Sequence, residues 1–521
     1  MLGKPWSNIR PWSCCKRFAH QLRPQIPDAR WPGYAVVIGI EVHAQIKSRE
    51  KLFSNTWTSD LDEAPNTHVS PYDAAFPGTL PRLNPKCVEL GVRTAIALNA
   101  QVNHRSAFDR KHYFYHDLPS GYQITQHYAP FASDGFLQLE KNATAVRIKQ
   151  IQLEQDTGKS MSDVRRRVSH VDLNRAGMGL MEIVSEPDLR SPEEAGDYVR
   201  TLQSLLRSVG SSDGNMEQGS LRCDVNVSVN KYNEPFGTRC EVKNLNSVKF
   251  MMVAITSEVF RQIELLESGR PVLQETRGFD EDKAETYALR SKEDAPDYRY
   301  MPDPNLPPLF LEERYVSSIR AEMPELPDAT RSRLQALGLS HRDADVLMTI
   351  DSGREVGHDG QLGHGAIAYF DTVAQGRDPK VVVNWITHEL LGQLSHRHET
   401  FMENPLSATQ MGDLIDLVQD KKITGTAGKT ILRHVLEHKS TAMPFVLAKE
   451  LSLLSNNDGD ASLQKWCEEA IDTLTEEAQA VRDGNVNVIN KLVGFVMKRS
   501  RGTANAKAAR AILQSKLSSR S

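Results

Sequence analysis

Cysteine is scarce and poorly placed for cross-linking. Six cysteines occur in 521 residues, Cys14 and Cys15 are adjacent, and no CxxC pair is present. A disulfide framework and a zinc ribbon are therefore excluded. Long apolar runs are also lacking. No stretch of about 18 uninterrupted apolar residues occurs, and the mean hydropathy is -0.46, which excludes a membrane-spanning helix. Neither sign of charge dominates, with 63 Lys and Arg against 67 Asp and Glu and a net charge of -4. That excludes a uniformly basic nucleic-acid binder and leaves a local basic patch open. No G-x-S-x-G elbow and no cysteine in a nucleophile setting are found. The run Gly425-Thr426-Ala427-Gly428-Lys429-Thr430 is similar to the end of a phosphate-binding P-loop. However, the required first glycine is Ile423 and no strand precedes it, so a P-loop is excluded. The run Gly210-Ser211-Ser212-Asp213-Gly214 follows a helix end and reads as a turn, not a nucleophile loop. What is present is ample for cores: 39% hydrophobic residues and a length that allows two to four domains.

Charge is unevenly distributed. The first thirty residues carry Lys4, Arg10, Lys16, Arg17, Arg23 and Arg30 against Asp28 alone, with no long apolar core. The segment 1–33 reads as a mitochondrial transit peptide, with a disordered basic arm as the alternative. After Asp483 no acid follows, whereas Lys491, Lys498, Arg499, Arg501, Lys507, Arg510, Lys516 and Arg520 do. A basic tail on an acidic body points to an anionic partner held at one place.

Residues 34–310 read as mixed and strand-rich. AVVIGIEVHAQI puts Ile38, Ile40 and Val42 on one face and Glu41, His43 and Gln45 on the other. SLRCDVNVSVN alternates in the same way, and TRCEVKN resumes the pattern after KYNEPFG, which predicts a hairpin. Between these strands, Ser191, Pro192 and Glu194 supply an N-cap, an N1 proline and a capping-box acid. Val199, Leu202, Leu205, Leu206 and Val209 make the buried stripe, and Gly210 stops the helix. A proline run from Pro296 to Pro308 marks the exit from this domain. Beyond it, 311–404 reads as helical and 405–521 as a last, all-helical domain. The glycine-rich 353–365 reads as a loop, with phosphate binding as a sharper alternative that no fixed motif supports.

The residues able to do chemistry lie on polar strand faces. Glu41 and His43 stand at i and i+2, so they share a face, with Glu154 in IQLEQD and Glu182 in GLMEIVSEPD. Carboxylates with one imidazole suit Mg²⁺ better than zinc, and Mg²⁺ usually serves a phosphoryl group. Paired charges on a solvated sheet face are the competing reading. Arg222, Arg239, Lys243, Arg110 and Lys111 join them as cations. FDRKHYFYHDLPSGYQITQ interleaves aromatics with charges, a mixture that suits either stacking on a nucleotide or lining a core.

IGIEVHAQI, FPGTLPRLN, FDRKHYFYHDLPSGYQI, NRAGMGLMEIVSEPDLRSPEEA, SDGNMEQGSLRCDVNVSV and FGTRCEVKNLNS closely resemble the B subunits of glutamyl/aspartyl-tRNA amidotransferases. So do QETRGFDE, DYRYMPDPNLPPL, MPELPD and KITGTAGKTIL, and the likeness runs from about Val37 to the C-terminus. With its leader the chain is similar to the mitochondrial form.

The resemblance implies an α+β fold. An antiparallel-sheet cradle would hold the synthetase site, followed by a helical domain and a small tail domain that grip tRNA. It implies conversion of Glu-tRNA(Gln) to Gln-tRNA(Gln), with ATP phosphorylating the γ-carboxylate and ammonia displacing the phosphate. It implies Mg²⁺ on His43, Glu154 and Glu182, Glu41 and Glu217 nearby, and Lys111 on the ammonia path. Arg110, Arg222, Arg239 and Lys243 are expected to bind the nucleotide. The implied partners are an amidase (A) subunit, a small C-type or organellar third subunit and misacylated tRNA, assembled as a heterotrimer in the mitochondrial matrix. The runner-up is a non-catalytic tRNA-binding scaffold in the same kind of complex. The chain departs from the resemblance at Gln155, where many bacterial members carry a second acid. It departs again around Ser54, Asn55, Ser70 and Tyr72, where bacterial zinc-knuckle cysteines are replaced.

Overall fold

The computed structural model describes residues 23–59, 63–139, 144–291, 297–454, 459–483, 485–500, 504 and 506–518. Positions 1–22 of the leader, together with Arg501 and Arg520 of the tail, lie outside them. The chain divides into two compact units.

The first unit comprises the chain through Leu326 together with Val356–Gln361. Its strands begin with β1 (Tyr34–Gln45), β2 (Gln101–Val102), β3 (Arg105–Ser106), β4 (Asp109–His112), β5 (Tyr122–Thr125) and β6 (Ala132–Gln138). Next come β7 (Ala145–Gln155), β8 (Lys159–Asp163), β9 (Val168–Asp172), β10 (Gly179–Ser185), β11 (Leu221–Lys231) and β12 (Cys240–Leu245). The last are β13 (Glu275–Asp280), β14 (Glu285–Ser291), β15 (Met301–Pro302) and β16 (Leu309–Phe310). Nine of them form one sheet, ordered β14-β13-β12-β11-β1-β10-β7-β6-β2, antiparallel except at β12–β13. The expected α+β, antiparallel-sheet architecture is what the chain adopts.

Alternation explains how the sheet is used. Ile38, Ile40, Val42 and Ala44 of β1 are fully buried and face α1 (Pro85–Ala97), α2 (Pro192–Ser208) and α3 (Val248–Glu267), sharing one core with Leu90, Tyr198, Leu202, Ile255 and Val259. Every second residue therefore projects from the opposite, polar face. The predicted hairpin forms between β11 and β12, with Val225 opposite Val242 and Asn226 opposite Glu241. Helix α2 starts as expected, with the Ser191 hydroxyl accepting from Glu194 N at 3.1 Å. The capping acid goes elsewhere: Glu194 Oε2 accepts from Arg190 N at 2.9 Å and from the Arg23 guanidinium.

That ion pair ties the last part of the expected leader segment to the first unit. Arg23 grips both oxygens of Glu194 at 2.6 and 2.8 Å, and its own carbonyl accepts from Arg190 Nη2. Trp31 is 2% exposed, edge-on to Phe260 and beneath the Arg30 guanidinium. Residues 23–33 are thus part of the folded unit, because a buried carboxylate and a core indole depend on them.

The first unit also ends later than position 310. Leu311, Val316 and Ile319 belong to its core, so the division falls at Leu326/Pro327. Within the glycine-rich stretch, Val356–Gln361 belongs to this unit as well. Asp359 donates its N–H to Lys47 O at 2.8 Å and accepts from Arg49 N at 2.9 Å.

The second unit is helical. Its larger core runs continuously from Leu334 to Leu453 and includes Phe370, Val373, Leu394, Leu406, Met411 and Leu414. The expected break at 404/405 therefore cuts through one core. A separate cluster spans Leu463 to Leu517, built by the helices Gly459–Thr473, Thr475–Arg482, Ile489–Arg499 and Ala506–Ser518. The GTAGKT run is the first turn of the helix Gly425–His438, with Thr424 as N-cap, as the exclusion of a P-loop requires. A Cβ on Gly428 would lie 2.9 Å from the Trp385 ring, which makes that glycine a packing residue.

Candidate active site

Three strands of the polar face bring the acids together. β1 lies between β10 and β11, so His43 stands opposite Glu182 on one side and Arg222 on the other. Glu182 stands opposite Gln152 of β7, and Glu154 lies two residues further along the same strand face. As a result, ligand atoms of His43, Glu154 and Glu182 all lie within 4.8 Å of one another. These are the three residues expected to hold a metal.

The surroundings hold them in place. Gln123 of β5 donates to Glu154 Oε1 at 2.8 Å, and the Gln152 amide donates to Glu182 Oε2. His43 Nδ1 and Lys111 Nζ each lie 3.9 Å from Glu154, on Oε1 and Oε2 respectively. Glu154 is 2% exposed, and its Oε2 has no hydrogen-bond partner.

Burial raises the pKa of Glu154, and burial likewise raises that of Glu182, in both cases against the pull of Lys111. Glu41 is raised by burial and then by Glu182, Glu241 and Asp224. Burial lowers His43, so its imidazole is held neutral and able to ligate. Lys111 moves up despite its burial, because Glu154 and Glu182 face it. Crowded carboxylates that burial disfavours, with one oxygen left without a hydrogen bond, are what a bound cation would satisfy. Two hard oxygens and one imidazole fit Mg²⁺.

Residues 36–317 match the family described as "GatB/GatE catalytic domain", and residues 368–517 match "GatB domain". The mitochondrial B subunit of glutamyl-tRNA(Gln) amidotransferase from Laccaria bicolor is 58% identical over 96% of this chain and 95% of that protein. The protein of the same description from Mycosarcoma maydis is 45% identical over 93% of this chain and 86% of its own length. The B subunit of the aspartyl/glutamyl-tRNA(Asn/Gln) amidotransferase from Rickettsia bellii is 43% identical over 93% and 97%. The chain belongs to the GatB family.

Three of the four cations expected at the nucleotide are already engaged. Arg222 Nη2 donates to Asp156 Oδ1 at 2.9 Å, and Asp156 is the main cause of its raised pKa. Lys243 sits between Asp224 and Glu241, at 2.6 and 3.0 Å. Arg110 is bound by buried Asp303 at 2.7 Å and stacks over Tyr122, so it braces β4 and β15. Two expected residues do not join the cluster. Glu217 is exposed in a turn closed by Asn215, and Arg239 is exposed just before β12. The alternation that suggested Arg239 ends where the strand begins, at Cys240.

Sequence reasoning missed Gln123, Gln152, Asp156 and Asp303. Gln152 was accessible, since counting back two from Glu154 reaches it. Asp156 was not, because its partner is 66 positions away. Gln155 leaves the acid cluster and lines a cavity of about 210 Å³ with Tyr122 and Asp156, its Oε1 lacking a hydrogen-bond partner. Among the cysteine-replacing positions, Ser54 and Ser70 surround Asp73, which pairs with fully buried Lys51 at 3.0 Å.

Proposed function

We propose that this chain is the synthetase-bearing B subunit of a tRNA-dependent amidotransferase. It converts Glu-tRNA(Gln) to Gln-tRNA(Gln) with ATP and with ammonia released from glutamine by an amidase partner. The observation that carries this reading is the convergence of His43, Glu154 and Glu182 on the polar sheet face. A tRNA-binding scaffold has no use for a buried carboxylate crowded by a second, half-buried one beside an imidazole.

A carboxylate is a poor acyl donor. Moving the terminal phosphoryl group of ATP onto the γ-carboxylate supplies a leaving group, which ammonia then displaces as phosphate. His43, Glu154 and Glu182 are the residues to hold Mg²⁺, which when bound neutralises the nucleotide's phosphates. Lys111 stays charged beside them and faces the ammonia approach. Gln123 and Gln152 fix the orientation of the two carboxylates through their amide N–H groups. Arg222 and Lys243 border the phosphate side, each braced by its own acid.

The helical region and the basic tail are assigned to tRNA, and a third small subunit completes a heterotrimer in the mitochondrial matrix. Among the described residues no helix is long and apolar enough to cross a membrane. The test uses the assembled complex with ATP and Glu-tRNA(Gln), following ADP and Gln-tRNA. RNA-dependent ADP formation that requires Glu154 of this chain supports the reading. ADP formation unaffected by loss of Glu154 leaves only the scaffold.

A further inference from the structure

The aromatic rings beside Lys111 have no part in the chemistry above. Tyr298 meets Tyr113 and Tyr300 edge to face, each at 5.9 Å between ring centroids. His127 lies flat on Tyr300, 3.9 Å away with planes 9° apart, and Tyr128 meets Tyr300 edge-on at 6.1 Å. These rings come from three segments: the residue after β4, the pair following β5, and the approach to β15. Pairing of β15 with β4, and of β4 with β5, brings them to one place.

This wall is joined to the acid cluster at two points. Lys111 Nζ lies 5.1 Å from the Tyr298 ring centre and 3.9 Å from Glu154. The Tyr113 hydroxyl donates to Gln123 Oε1 at 3.2 Å, and the other end of that amide donates to Glu154. The outer edge is open, with Tyr128 67% exposed.

Flat, half-open aromatic faces beside a reaction centre suit a nucleobase, because stacking needs only a π-face on the ligand. Two nucleosides must reach this site, and the charges sort them. Arg222 and Lys243 lie on β11 and β12, on the far flank, where a triphosphate finds its cations. On the wall's outer side stands Arg299, exposed between the two tyrosines and paired only loosely with exposed Asp297 at 3.4 Å. One loosely held guanidinium suits a phosphodiester link.

We propose that this wall receives the terminal nucleoside of the aminoacylated RNA. Its base stacks on the exposed ring of Tyr128, which the stacked Tyr300–His127 pair supports, and its ester-linked side chain reaches the Glu154–Glu182 cluster. The inference rests on the proposed amidotransferase function. The tyrosines act as positioning residues, not catalytic ones.

The test uses the complete complex and a tRNA carrying 2-aminopurine as its 3′-terminal base. Binding to the wild-type complex quenches that fluorescence, and Tyr300→Leu restores it while Tyr300→Phe does not. In steady state, Tyr300→Leu raises the KM for Glu-tRNA about tenfold or more, with kcat and the KM for ATP unchanged. Tyr128→Ala, at an exposed position, shifts the same KM in the same direction and guards against a folding defect. A raised KM for ATP with that for RNA unchanged overturns the proposal in favour of the ATP adenine. Unchanged KM values in both variants overturn it in favour of packing alone. A wild-type complex that binds Glu-tRNA without quenching overturns this inference only, and one that binds no Glu-tRNA overturns the amidotransferase reading as well.

Discussion

Replacing Glu154 by glutamine keeps the shape of the side chain, and Gln123 can still donate to its carbonyl oxygen. What is lost is one negative charge, 3.9 Å from Lys111 Nζ. At an effective dielectric of about 20, the gross attraction at that distance is about 4 kcal/mol. Desolvation opposes it, since burial is the largest influence on Glu154 and pushes its pKa up. In the folded chain the ionised carboxylate is therefore held at a cost, which the neutral amide removes. The thermal midpoint of Glu154→Gln should be unchanged or higher than that of wild type. Activity should move the opposite way. One of three metal donors loses its charge, so ATP-dependent phosphorylation of the glutamyl end should fall by about 100-fold or more, equivalent to about 2.7 kcal/mol of transition-state stabilisation. The Mg²⁺ concentration for half-maximal residual activity should rise, while tRNA binding and assembly with the amidase partner stay normal. The assay is a magnesium titration of Gln-tRNA formation, paired with a melting curve. Wild-type magnesium dependence together with wild-type turnover would remove Glu154 from the site.

Three further outcomes are expected. Trp31→Ala should destabilise the first unit by about 3–5 kcal/mol in denaturant unfolding, and sequencing of the mature mitochondrial protein should find Arg23 retained; a mature chain that starts beyond Arg23 at wild-type stability refutes both. Asp73→Asn strips the buried Lys51 ammonium of its counter-charge and should cost about 3–5 kcal/mol, read as an earlier urea midpoint, whereas an unchanged midpoint would mean that the surrounding carbonyls suffice. In the tail, Arg499, Lys516 and Lys491 already pair with Glu469, Glu468 and Glu477. Charge reversal at exposed Lys498 and Arg510 should therefore weaken tRNA binding and reduce its salt slope by about one per lost phosphate contact; an unaltered slope returns the tail to a solvated helix.

Legibility in the sequence followed the range of the interaction. The two-residue period of β1 and β11 displayed the apolar and polar faces directly, and the proline, serine and glycine around α2 marked both of its ends. The same period put Glu41 and His43 on one face. Bringing Glu154 and Glu182 to His43 needed strand order, which local pattern does not encode; the family likeness supplied that step. Where the reading failed, long-range partners were responsible. The basic run of the leader hid the fact that Arg23 answers Glu194, 171 positions away. Pro405 suggested a domain edge, although Leu406 and Met411 pack into the same core as Phe370. The tail's cations looked free because the acids that pair with three of them lie on the two preceding helices.

The central place of β1 has a consequence for how the protein comes to be made. This strand comes first among the described strands, yet its sheet neighbours are β10 and β11, which begin at Gly179 and Leu221. Until the chain has emerged as far as Lys231, a twelve-residue strand with one fully apolar face has no complete pair of partners. Pairing over such sequence separations is slow, and an unpaired apolar strand is prone to associate with other chains. The polar cluster that carries the chemistry is assembled by those same late pairings, since His43 meets Glu182 and Arg222 only across them. A chain delivered amino terminus first must keep β1 shielded for most of the synthesis of its first unit. The strand that carries His43 thus waits for partners that lie well over a hundred residues further along the chain.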